Sequence, residues 1–169
     1  MLRLTLIRHA KSSWADDSLD DFERPLNERG RRDAPRMAAL AQRELETPAR
    51  LVTSPALRAI STARVFAETL GIPHDSLLVL PGIYEASGDA LLKLLRGMDD
   101  CDQHLMLFGH NPGLSELAHY LAPCSFSELP TCAVAHLELD RARWRELGEH
   151  CGHLAYYVTP KQLRGGDSV

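Results

Sequence analysis

A chain of 169 residues, 44% apolar and 25% charged, is long enough to bury one continuous core and has the composition of an ordinary soluble globular domain. A formal net charge of -4 and a pI near 6.0 give no reason to expect a nucleic-acid or anionic-membrane partner, so any anion site must be built locally. Cys101, Cys124, Cys132 and Cys151 lack CxxC spacing, which argues against a zinc cluster, and reduced thiols in the cytoplasm are expected.

In chain order, Met1 to Ile7 is apolar for too few residues to be a signal-peptide core or a spanning helix. Leu2 to Ile7 reads as a buried strand that breaks at Arg8-His9-Ala10. A loop rich in acids follows, with Asp16, Asp17, Asp20, Asp21 and Glu23. Pro25 or Asn27 opens a helix whose Ala34, Met37, Ala38, Ala41 and Leu45 share one face, and Pro35 argues for a start close to Asp33. Arg50 to Thr53 is a second strand. The next helix has Ala56, Ile60, Ala63, Ala67 and Leu70 on its inner stripe and stops at Gly71 and Pro73.

Leu77 to Leu80 is a third strand, Asp89 to Leu95 a third helix, and His104 to Phe108 a fourth strand closed by Gly109-His110-Asn111-Pro112-Gly113. Leu114, Leu117, Ala118 and Leu121 mark a fourth helix, and Cys132 to Leu139 and His153 to Val158 read as two further strands, a hairpin around Arg141 to Glu149. The alternation predicts a three-layer α/β/α sandwich around a mostly parallel, mixed central sheet. One domain is expected over residues 1–163, with residues 164–169 a frayed, Gly-rich C-terminal tail.

In such sheets ligands bind beyond the carboxyl ends of the strands. Arg8 and His9 follow the first strand, Ser54 and Arg58 the second, His110 and Asn111 the fourth. Each has a plainer reading: His9 as a hydrogen-bonded structural histidine, Arg58 as one of many surface arginines, His110 as a turn cap. Arg8 and Arg58 alter that balance, because planar guanidinium groups bind phosphate oxygens in pairs of hydrogen bonds. Arg58 also sits where a helix start offers N–H donors to an anion. Gly109 and Gly113 flanking His110 suggest a sharp strand-to-helix turn.

Leu6-Ile7-Arg8-His9-Ala10-Lys11-Ser12, Ser54-Pro55-Ala56-Leu57-Arg58-Ala59 with Thr62-Ala63, and Gly109-His110-Asn111-Pro112 resemble, in order, three signatures of the histidine phosphatase superfamily. The similarity runs over roughly Leu2 to Leu121. Ala10, and Arg24-Pro25-Leu26-Asn27-Glu28-Arg29-Gly30, point to its small phosphohistidine phosphatase branch, SixA type. The resemblance implies a phosphoglycerate mutase-like fold and phosphoryl transfer to His9 as covalent nucleophile. Arg8, Arg58 and His110 would hold the phosphoryl oxygens, and no metal or other cofactor would be required. Two nearby guanidinium groups should hold His9 neutral.

Glu85 matches the position where the superfamily often has its acid, and is a candidate proton donor. Ser12 and Asn111 are candidates for the pocket lining, and Lys11 for its rim. Trp14 and the acidic loop are read as solvated near the mouth, and the remaining histidines as structural or surface residues.

About a dozen residues separate Gly71 from Glu85 and roughly twenty separate Glu85 from His104, too few for a sizeable lid. An open site suits a phosphoryl group carried by another protein, such as a histidine phosphotransfer domain in signal transduction. Three alternatives remain open. One is a small-molecule phosphomonoesterase using the same nucleophile. Another is a module that binds phosphoproteins without turnover, and the third is a mutase.

Overall fold

The computed structural model describes residues 1–166 and carries one six-stranded sheet between two layers of helices. Strands β1 (Leu2–Arg8), β2 (Arg50–Thr53), β3 (Leu78–Val79), β4 (His104–Gly109), β5 (Val134–Leu139) and β6 (Gly152–Val158) lie in the order β3-β2-β4-β1-β5-β6. The first four are parallel, while β5 runs antiparallel to both β1 and β6. All six expected strands form, and the sheet is mixed as expected.

Central strands are covered on both faces, which explains why β1 and β4 read as nearly unbroken apolar runs. Their side chains alternate by face. Leu4, Leu6, Leu105 and Leu107 pack with Leu91, Leu95, Leu114 and Leu117 of α3 (Gly88–Arg96) and α4 (Gly113–Leu121). Ile7, Met106 and Phe108 pack on the other side with Met37 and Phe66 of α1 (Glu28–Glu44) and α2 (Leu57–Leu70). Helix α5 (Pro160–Gly166) adds Leu163 to that second layer.

Two local expectations need correction. Helix α1 starts at Glu28, as an opening at Asn27 predicts and not near Asp33 as Pro35 argued: Asn27 Oδ1 caps it by accepting from the Gly30 N–H at 2.8 Å. Pro35 is tolerated in the interior because it and Arg31, whose carbonyl it leaves unbonded, lie on the solvent face. The buried stripe of α2 is Ala59, Thr62, Ala63, Phe66 and Ala67, so Ile60 and Leu70 sit at its edges. Arg164 to Gly166, the start of the expected tail, are the last residues of α5, and the rest of that tail lies outside the described residues.

Gly30 and Gly113 are required for space, since neither takes a left-handed backbone. A Cβ on Gly30 would lie 2.2 Å from the Lys11 carbonyl, and one on Gly113 would lie 2.1 Å from that of Ala86. The first contact pins α1 to the segment after β1; the second brings α4 against the segment before α3.

Candidate active site

Register brings the site together. Arg8 pairs with Gly109 across β1 and β4, and Thr53 pairs with Phe108 across β2 and β4. The ladder runs one rung further, with the His9 N–H donating to Gly109 O and the Ser54 N–H to Phe108 O, both at 3.1 Å. His9, Ser54 and His110 therefore leave three adjacent parallel strands side by side. Arg58, in the first turn of α2, reaches in beside them. A cavity of about 350 Å³ opens there, lined by Arg8, His9, Ser12, Arg58, His110 and Asn111 among others.

His9 is almost wholly buried, and its tautomer is fixed by two neighbours. Nδ1 lies 2.8 Å from the Ala10 carbonyl and so carries the proton, while Nε2 accepts weakly from Arg58 Nε at 3.4 Å. Nε2 thus presents a lone pair to the pocket. Burial pushes the His9 pKa down to about 3, opposed by the Ala10 carbonyl and helped by His110, Arg58 and Arg8. The guanidinium groups expected to hold His9 neutral do contribute, but burial is the larger cause.

His110 Nε2 meets Ser54 Oγ at 2.7 Å, and Nδ1 faces Arg58 Nη2 at 3.5 Å. Its pKa is lowered to about 4, first by burial and then by Arg58, with Asp21 opposing. Thr62 ties the nucleophile strand to α2: its Oγ accepts from the Ala10 N–H at 3.0 Å and donates to the Arg58 carbonyl at 2.8 Å. Arg8 donates through Nη1 to Leu129 O at 3.0 Å, while its buried Nε has no partner among the described residues.

The other expected site residues divide. Ser12 lines the cavity, with its Oγ accepting from Arg24 Nη1 at 2.9 Å. Asn111 also lines it, but its amide is committed, donating to Leu129 O at 2.7 Å and accepting from Ser115 Oγ at 2.8 Å. Lys11 and Trp14 stand in the lining as exposed residues. Glu85 is exposed and outside the lining.

Three participants were not among the expected site residues. Asp21, in the 3-10 turn Asp21–Glu23, accepts from Arg58, Arg24 and Tyr84. Burial disfavours its charge, but those three donors outweigh it and hold the carboxyl at about 2. Arg24 is buried in the lining, with its guanidinium 3.4 Å from the centre of the Trp14 ring. Ser54 stands at a strand end in the sequence; it lies outside the cavity lining and reaches the site only through its contact with His110. Among the described residues, no group of three or more His, Cys, Asp or Glu side chains is placed to hold a metal ion, and no helix is long and apolar enough to cross a membrane.

The buried neutral histidines make stability depend on pH. His104 and His136 both contact Thr5 Oγ at 2.8 Å; burial pushes His104 down to about 3 and lowers His136 as well. Unfolded histidine takes up a proton near pH 6.5, whereas these two, together with His9 and His110, resist it when folded. The unfolded state therefore binds more protons below that pH. Stability is fully present above about pH 6.5 and is lost as pH falls toward 4 and below. Asp21, depressed in the same sense, adds its loss only below about pH 4. Urea unfolding at stepped pH should show this slope, and equal stability at pH 7 and pH 5 would contradict it.

Residues 4–88 match the sequence profile of the histidine phosphatase superfamily (branch 1). An uncharacterized chloroplastic protein of Arabidopsis thaliana is 31% identical over 152 residues, spanning 85% of this chain and 69% of the relative. An uncharacterized protein of Mycobacterium tuberculosis is 27% identical over 165 residues, spanning 92% of this chain and all of the relative, 100%. Among solved structures, the SixA protein of Agrobacterium tumefaciens superposes with a TM-score of 0.79 at 26% identity, covering 94% of this chain and 98% of that one. A mycobacterial glucosyl-3-phosphoglycerate phosphatase, at TM-score 0.67 and 15% identity over 92% of this chain and 98% of its own, shares the phosphoglycerate mutase-like fold. Profile, relatives and fold agree with the three motifs that meet at the strand ends: the chain belongs to the histidine phosphatase superfamily and is a phosphatase of its SixA-type branch.

Proposed function

We propose that this phosphatase removes the phosphoryl group from a histidine on another protein, through a phosphorylated His9. The observation that carries the reading is the neutral, buried His9, whose unprotonated Nε2 faces a pocket walled by Arg8, Arg58 and His110. Nε2 attacks phosphorus in line; the bond from phosphorus to the substrate nitrogen breaks as the bond to Nε2 forms. The guanidinium groups of Arg8 and Arg58 and the His110 ring hold the equatorial oxygens. The Ala10 carbonyl, still accepting from Nδ1–H, steadies the charge on the phosphorylated ring. Water then attacks phosphorus, releasing inorganic phosphate and regenerating neutral His9.

A substrate imidazole protonated on its far nitrogen departs as a neutral ring and asks little of a protein acid. That suits the exposed position of Glu85, outside the pocket lining. Glu85→Gln is expected to change phosphohistidine hydrolysis by less than about threefold, while slowing an alkyl phosphate far more, because an alkoxide needs a proton to leave. Parallel rates on both substrates would show equal losses if this asymmetry is wrong.

Openness supports a protein-borne substrate. Between β2 and β4 the chain spends its length on α2, two short turns, β3 and α3, and α3 packs against α4 in the core. The tungstate-bound SixA, which superposes with a TM-score of 0.79 at 22% identity over 96% of this chain and 99% of its own, is a protein histidine phosphatase. The test compares kcat/KM on a phosphorylated histidine phosphotransfer domain with that on sugar and nucleotide phosphates. A preference of at least about 100-fold for the protein is expected; a preference for any small ester overturns the reading.

A further inference from the structure

We infer that Asp21 is a positioning residue that holds the Arg58 fork in register with His9, an inference that rests on the phosphatase reading of the pocket. Arg58 has two terminal nitrogens, and Asp21 takes both. Nη1 donates to the Asp21 main-chain carbonyl at 2.6 Å, and Nη2 donates to Asp21 Oδ2 at 3.0 Å. With both ends fixed, Nε is aimed at His9 Nε2 at 3.4 Å, and Nη2 also faces His110 Nδ1 at 3.5 Å. The arginine that would meet a phosphoryl oxygen is therefore oriented from behind by the acidic loop, across 37 residues of sequence.

Asp21 is itself braced. Its Oδ1 accepts from Arg24 Nε at 3.1 Å and Nη2 at 3.0 Å, and its Oδ2 accepts from the Tyr84 hydroxyl at 2.7 Å. Arg24 in turn is buried and anchored to Ser12, and Tyr84 stacks edge-on against both Phe22 and His110. A loose arginine on a long stem would lose rotamer freedom each time it engaged a phosphoryl group. One already fixed loses little, and the transition state benefits. The carboxylate also places a negative charge beside the clamp, which weakens the ground-state attraction for a phosphate dianion. Asp21 thus sharpens orientation at some expense in affinity.

That pairing gives Asp21→Asn a signature different from that of a damaged fold. The main-chain carbonyl still holds Nη1, so the loss is partial: kcat on phosphoimidazole falls about 10-fold to 30-fold. Inorganic phosphate binds as tightly or more tightly, because a repelling charge is gone. Asp21→Glu restores part of kcat. In an Arg58→Ala background Asp21→Asn adds less than a further twofold, since the group it positions is absent.

Wild-type kcat in Asp21→Asn would overturn the inference, as would a parallel loss of phosphate affinity or losses that multiply in the double variant. Arg58→Ala serves as the separate control. If it alone keeps wild-type rates, the reading of the clamp fails; if it is slow while Asp21→Asn is not, the inference about Asp21 alone fails.

Discussion

Replacing His9 by alanine is expected to lower turnover of a phosphohistidine substrate by on the order of 10⁴-fold or more, with the fold intact and phosphate still bound. The size follows from what is lost. Arg8, Arg58 and His110, which line the cavity and are proposed to hold the phosphoryl oxygens, remain, so binding is expected to persist within about threefold. Without Nε2, however, phosphoryl transfer must wait for direct attack by water. The side chain deletes cleanly, because its one strong hydrogen bond, to the Ala10 carbonyl at 2.8 Å, is to its own neighbour rather than across the core.

The chemical check is trapping. Wild-type protein mixed with labelled phosphoimidazole and quenched in alkali should carry phosphate that is stable to base and labile to acid, and His9→Ala should carry none. Unchanged binding in His9→Ala with no trapped phosphate on the wild type would instead support a phosphoprotein-binding module.

Much of this pocket was legible in sequence because its parts are local. Arg8-His9, Arg58 and Gly109-His110 each follow a strand whose apolar run is plain, and the parallel sheet then aligns them rung by rung. What sequence could not supply was pairing at a distance. Asp21 sits among Asp16, Asp17, Asp20 and Glu23, and nothing local separates the one acid that reaches Arg58 from four that do not. Arg24 was legible as a mark of the branch, but not as the brace between Ser12, Trp14 and Asp21.

Pro35 misled for a different reason. A proline is read as a helix boundary, and only knowledge of which face it occupies shows that Pro35 and Arg31, the residue whose carbonyl it would have bonded, are both exposed. The cause of His9's low pKa likewise needed burial, which is a property of the packed site rather than of neighbouring residue types.

Arg8 carries the second large expected effect. Its guanidinium is half-buried and split in purpose: Nη1 is bonded to Leu129 O, while Nε is buried without a partner among the described residues. A buried donor left unpaired costs about 1–3 kcal/mol, more when it belongs to a charged group. Burial also lowers the Arg8 pKa, opposed by Glu128 and reinforced by Arg58, so the same surroundings press against its charge. A phosphoryl oxygen bound as proposed would relieve both strains at once, by supplying an acceptor and a counter-charge.

Arg8→Ala should therefore lower kcat/KM by on the order of 10³-fold, beyond what a surface arginine would contribute. Arg8→Lys should recover only part of that, remaining about 100-fold below wild type. An ammonium can keep the charge, but it cannot hold Leu129 O with one nitrogen and turn a second, coplanar N–H on the phosphoryl group. Because Leu129 O is also the acceptor for Asn111 Nδ2, the lysine variant should disturb the loop after α4 less than the alanine variant does.

Binding and stability separate the explanations. Phosphate at 100 times its wild-type Kd should raise the unfolding free energy of wild type by about 2.7 kcal/mol. The same concentration should do little for Arg8→Ala, whose pocket lacks the waiting donor. If phosphate stabilises both proteins equally, the unpaired Nε is not what the anion satisfies, and Arg8 acts through Leu129 and the fold of its loop instead.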